Sequence, residues 1–173
     1  GSPLTRAHRP ARPDPDTAAA TSWRTALSVL ARTVAAELHR LLTDEDPEGP
    51  HQLRVALRRL RVLERVHRPI LDPDVSKDVS QGARRIGRLV APLRDILIEM
   101  MCRGGHAGLS LADALGAAGS QVRKEVRERL RTAGASAFAL RLLQLANLGG
   151  WERGGRPDTV AAGELLDRRM ARQ

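Results

Sequence analysis

Between His51 and His67, leucine and arginine recur in a rhythm suited to a helix. Advancing about 100° per residue from His51, Arg54, Arg58, Arg61 and Arg65 fall within about 80° of it. Leu53, Leu57, Leu60 and Leu63 fall on the opposite side. A strand would scatter both sets over both of its faces. The segment therefore needs a core on one side and carries an arginine stripe, headed by a histidine, on the other. Pro69 brings it to a stop.

The design repeats from about Asp74. Lys77, Gln81, Arg84 and Arg88 share one face, and Val79, Ile86, Leu89, Val90, Leu93 and Leu97 share the other. Pro92 is expected to kink this helix or to mark a fresh start, because an interior proline costs ~3 kcal/mol or more. The pattern then resumes through Met101. An earlier helix begins near Thr17, with Trp23, Leu27, Leu30, Val34, Leu38 and Leu41 at three- and four-residue spacing. Later helical stretches cover 110–132, weakened by Gly116 and Gly119, then 136–148, ended by Gly149-Gly150, then 158–171. An acidic turn, Thr43–Pro50, and a glycine loop, Arg103–Gly108, separate them. Residues 1–16 read as a disordered tail: Gly1-Ser2 looks like a cloning scar, and Pro3, Pro10, Pro13 and Pro15 oppose regular structure. With no alternating strand and no Asn-Gly or Asp-Gly hairpin signal, the expected class is all-α. The expected architecture is an antiparallel bundle of five to six helices over 17–173.

The charge is lopsided. Lys and Arg number 29 against 20 Asp and Glu, a net +9, with a pI near 11.4. Residues 51–94 alone hold 11 basic and 4 acidic side chains, a net +7. Arginines at i, i+4 repel one another by a few tenths of a kcal/mol. A solvated face is the bland reading of such a stripe. Its one-sidedness on two consecutive helices points instead to a polyanionic partner. Guanidinium forks match phosphate oxygens bidentately, and each shielded charge-assisted bond contributes ~1.5–3 kcal/mol.

Other classes find less support. One cysteine, Cys102, excludes an internal disulfide framework. No apolar run approaches the ~18 residues of a membrane span, and no signal peptide is visible, so a cytoplasmic protein is expected. Cys102 and His106 lack a second ligand pair, so no metal is expected, nor any cofactor. Gly104-Gly105 and Gly154-Gly155 lack the spacing and following lysine of a phosphate-binding loop, and no carboxylate cluster stands out, so the chain is not read as an enzyme. Nucleic acid is the alternative partner. Against it, only Trp23, Trp151 and Phe138 are aromatic, and none lies in the basic helices. His67 reads as a packing or helix-end histidine, His39 as a surface one, and Met100-Met101 as core filler.

The stretch Pro47-Glu48-Gly49-Pro50-His51-Gln52-Leu53-Arg54-Val55-Ala56-Leu57-Arg58-Arg59-Leu60-Arg61 resembles the CHAD family, the conserved histidine α-helical domain. Leu89-Val90-Ala91-Pro92-Leu93-Arg94-Asp95 is similar to that family's leucine-rich segment ending in Arg-Asp. The resemblance implies two similar helical halves around a basic cavity, binding of inorganic polyphosphate, location on polyphosphate granules, and no catalysis. Carried onto this chain, the binding residues are His51, Arg54, Arg58, Arg59, Arg61 and Arg94, with Asp95 orienting arginines. Helical phase adds Arg65, Arg84 and Arg88. Leu97 stands where the family often has a second acidic residue. A second His/Arg helix is expected in a C-terminal half, and the chain ends at Gln173, about where that helix should begin. The chain thus resembles a half-length member, and a homodimer is the expected way to complete it.

Overall fold

The computed structural model describes residues 11–12, 14–43, 49–103 and 109–154. These residues hold five helices: α1 Pro15–Thr43, α2 Gly49–His67, α3 Pro73–Arg103, α4 Leu109–Thr132 and α5 Ala135–Leu148. A single 3-10 turn, Arg68–Ile70, joins α2 to α3. Among the described residues there is no strand, only an isolated bridge between Leu71 and Glu152. Most of the acidic turn, residues 104–108 with His106, the expected helix over 158–171, and the side chains of Leu97, Met100 and Met101 lie outside the described residues.

The helix ends follow from local chemistry. α1 begins at Pro15, inside the stretch expected to be tail, because proline suits a first turn and Asp16 complements the helix dipole there. The Asp14 carbonyl accepts the Ala18 N–H at 2.9 Å, closing the first turn. α2 likewise takes in Gly49 and a buried Pro50 ahead of His51. Asp72 caps α3: its Oδ1 accepts the N–H groups of Asp74 at 2.9 Å and Val75 at 3.3 Å. At Pro92 no fresh start occurs, and α3 runs through it. Pro92 is exposed, so water can reach the carbonyl that its ring leaves without a donor.

α1 packs against α2 and α5, α2 against α1 and α3, and α3 against α2 and α4. α1 buries Trp23, Leu27, Val34, Leu38 and Leu41. α2 meets them with Leu53, Leu57 and Leu60, while Leu63 is only partly covered. α3 adds Val79, Ile86, Val90 and Leu93, and α5 adds Phe138, Leu142 and Leu145. All belong to one core, at ~1.5–3 kcal/mol for each large side chain buried. α4 is tied across the bundle, where Arg127 Nε donates to the Leu41 carbonyl at 2.8 Å, a cation at the C-terminal end of α1.

After α5 the chain turns at Gly149 and Gly150, with φ of 77° and 84°, values that favour glycine. The turn lays Trp151 against Trp23, both fully buried. It also sets two backbone hydrogen bonds on the α2–α3 turn. Asp72 N–H donates to the Trp151 carbonyl at 2.8 Å, and Arg153 N–H donates to the Ile70 carbonyl at 2.9 Å.

Candidate anion-binding cleft

α2 and α3 face each other across a cleft of about 860 Å³. From α2 come His51, Arg54, Arg58 and Arg61, and from α3 Arg84, Arg88 and Arg94. Ala83, Gly87 and Ala91, one helical turn apart, line it between the α3 arginines. Their small size keeps the cleft open: a Cβ added at Gly87 would meet nothing within 4 Å. Gly82, five residues earlier on the same helix, is glycine for the opposite reason, since a Cβ there would collide with the Phe138 ring.

The described residues that line the cleft carry charge of one sign. Among the described residues, no carboxylate, hydroxyl or thiol lines it. Arg94 Nε lies 3.4 Å from Asp95 Oδ1, the one carboxylate expected to orient an arginine. Arg54, Arg58, Arg61, Arg84 and Arg88 make no ion pair among the described residues. Arg61 Nε is buried and has no hydrogen-bond partner among the described residues. A buried donor without an acceptor costs on the order of 1–3 kcal/mol, which an anionic oxygen in the cleft would offset.

Two residues expected in this group lie elsewhere. Arg59 sits in a shallow groove between α1 and α2 with Thr25 and Val29. Its phase, about 80° from His51, lies on the α1 flank, whereas Arg54 and Arg61 lie on the α3 flank. Angular distance from His51 does not tell those flanks apart. Arg65 is exposed and does not line the cleft, one turn beyond Arg61.

Glu64, the one acidic residue among the α2 arginines, is 2% exposed. Its phase, about 220° from His51, already puts it with the leucines. Glu64 Oε1 accepts Arg68 Nε at 2.8 Å and the Ser76 hydroxyl, and Oε2 accepts Arg68 Nη2 at 3.1 Å. Burial pushes this carboxyl up. The hydrogen bonds from Arg68 and Ser76, with the charges of Arg68 and Arg65, outweigh burial and hold it below the usual glutamate range. Nearby, His67 is buried, with Nδ1 2.9 Å from the Leu63 carbonyl and Nε2 3.3 Å from Ser22 Oγ. Its ring packs 5.7 Å from that of Trp23, in keeping with a packing role.

Glu64 walls a second, smaller cleft of about 340 Å³ at the turn end of α2–α3. Arg68, Lys77, Arg84 and Arg153 line it too. Arg153 was invisible to periodicity, because it lies in irregular chain after Gly149-Gly150 and only the backbone pairing brings it here.

The family model for the CHAD domain matches residues 25–173. The chain belongs to the CHAD domain family. CHAD domains are linked to polyphosphate-related proteins. No curated protein and no solved structure matches this CHAD domain. No helix of it, among the described residues, is long and apolar enough to cross a membrane. Among the same residues, no group of three or more His, Cys, Asp or Glu side chains is gathered for a metal.

Proposed function

We propose that this CHAD domain binds inorganic polyphosphate in the α2–α3 cleft and does no chemistry on it. The supporting observation is the set of six arginines and His51 around one cleft that no acidic side chain lines among the described residues. A linear chain of phosphates offers repeated pairs of oxygens, which suit guanidinium forks aligned at i, i+4. Among the described residues, none that lines the cleft carries a carboxylate, hydroxyl or thiol, which favours binding over hydrolysis. On this reading the protein associates with polyphosphate granules. The reading includes a homodimer, since Val29, Val62 and Val66 stand exposed on α1 and α2. A single-chain molar mass at micromolar concentration would remove the dimer.

The test is binding of long-chain polyphosphate at ~0.15 M salt, where loose attraction is screened, with single-stranded RNA and duplex DNA as competitors. Arg54→Ala with Arg58→Ala is expected to weaken binding at least a hundredfold, roughly tenfold for each guanidinium removed. Equal competition by nucleic acid would make the cleft a general polyanion site. Undiminished binding by the double variant would reject the reading.

A further inference from the structure

We propose that the cleft continues past Arg84 into a second compartment, where Arg68, Lys77 and Arg153 hold a more distant stretch of the same polyphosphate chain. The inference rests on the polyphosphate reading above and extends it to the length of ligand that the protein grips.

The compartment is assembled from three separate parts of the sequence. Arg68 comes from the turn after α2, Lys77 and Arg84 lie two turns apart on α3, and Arg153 arrives from beyond α5. Arg153 is held there by backbone pairing with the Ile70–Asp72 segment, and its Nε lies at the long distance of 3.4 Å from the Leu71 carbonyl. Among the described residues, four cations thus surround about 340 Å³ with one carboxylate, Glu64, whose two oxygens already accept Arg68 and Ser76. Lys77, Arg84 and Arg153 make no ion pair among the described residues. The first turn of α3 borders the space, but Asp72 occupies its N–H groups. The attraction for an anion therefore comes from the side chains rather than from the helix end.

Arg84 lines both compartments and stands where they meet. Along α3, Lys77 and Arg94 are separated by about 26 Å at a rise of ~1.5 Å per residue. A compact anion fits within one compartment. Only a long, flexible chain occupies both. For such a ligand the second contact is intramolecular and adds affinity in proportion to its effective concentration. The second compartment therefore confers a preference for chain length rather than for phosphate as such.

The experiment compares tripolyphosphate with long-chain polyphosphate at ~0.15 M salt. Wild type is run beside Lys77→Ala with Arg153→Ala, and beside Lys124→Ala with Arg129→Ala, a pair that removes the same charge from the exposed side of α4. The Lys77/Arg153 change is expected to weaken long-chain binding roughly tenfold and to leave tripolyphosphate binding unaltered. The α4 pair should alter neither. Lys77 is exposed and makes no hydrogen bond among the described residues, so Lys77→Ala alone carries the test should Arg153→Ala loosen the chain after α5. Unchanged long-chain affinity, or an equal loss in the α4 pair, overturns the inference. If those results accompany a wild type whose binding collapses with Arg54→Ala and Arg58→Ala, the polyphosphate reading stands and only the extension falls. A wild type that binds no polyphosphate removes both.

Discussion

The two ends of the α2–α3 pair treat their charges in opposite ways. At the turn end, the buried Glu64 has both oxygens satisfied and the buried His67 has both ring nitrogens placed against oxygens. At the other end, five arginines crowd a cleft with no ion pair among the described residues, and one of their donors is buried without an acceptor among the same residues. Charge that serves folding is paired within the chain. Charge left unpaired in a concave site destabilises the empty protein slightly and stabilises it when an anion arrives. The contrast separates residues of identical chemistry on one helix by what they do.

Changes at each end should therefore move different observables. The largest effect on stability is expected from Glu64→Ala, which strips Arg68 and Ser76 of their acceptor and should cost about 2 kcal/mol, read as a fall in Tm. The same carboxylate has an acid signature. Because its folded value lies below the ordinary one, its contribution is fully present above the unfolded glutamate value and is lost as pH falls through the folded value. Glu64→Gln should flatten that part of the stability profile, and an unchanged acid limb would contradict the assignment.

The two glycines of α3 give the next contrast. Gly82→Ala should destabilise by about 1–3 kcal/mol through collision with Phe138. Gly87→Ala should stabilise by up to ~1 kcal/mol, since alanine favours a helix and nothing lies within 4 Å. Thermal melts of the two variants moving the same way would break the contrast. The smallest stability change belongs to Arg58→Ala, a gain of a few tenths of a kcal/mol from relieved repulsion, alongside a roughly tenfold loss of polyphosphate affinity. Arg59→Ala, on the α1 flank, should leave that affinity within about twofold, the rim effect of one distant charge. A loss equal to that of Arg58→Ala would put Arg59 back among the ligand-binding residues.

Much of this was legible in local periodicity. The 3.6-residue rhythm places His51, Arg54, Arg58 and Arg61 on one side of α2 and gives α3 its matching face, because each assignment needs only a helix. What periodicity lacks is the position of the neighbours. It cannot say that α3 lies on the Arg54 flank and α1 on the Arg59 flank, nor where along α2 the cleft ends short of Arg65. It also gives no handle on Arg153, whose place is set by two backbone hydrogen bonds between segments about eighty residues apart. Glu64 is the intermediate case. Its angle among the leucines was readable, but the partners that make its burial tolerable come from Arg68 and Ser76, outside α2.

The packing of Trp151 against Trp23 has an optical consequence. These are the chain's only tryptophans, and it has no tyrosine. Their rings lie 6.2 Å apart where the segment beyond α5 meets α1, with His67 beside them. Ultraviolet emission from the native protein is therefore a local gauge of that joint and not an average over the bundle. The same joint carries Arg153 into the second cleft. Intrinsic fluorescence recorded during a polyphosphate titration thus watches, without any added label, the length of chain that completes the far end of the groove.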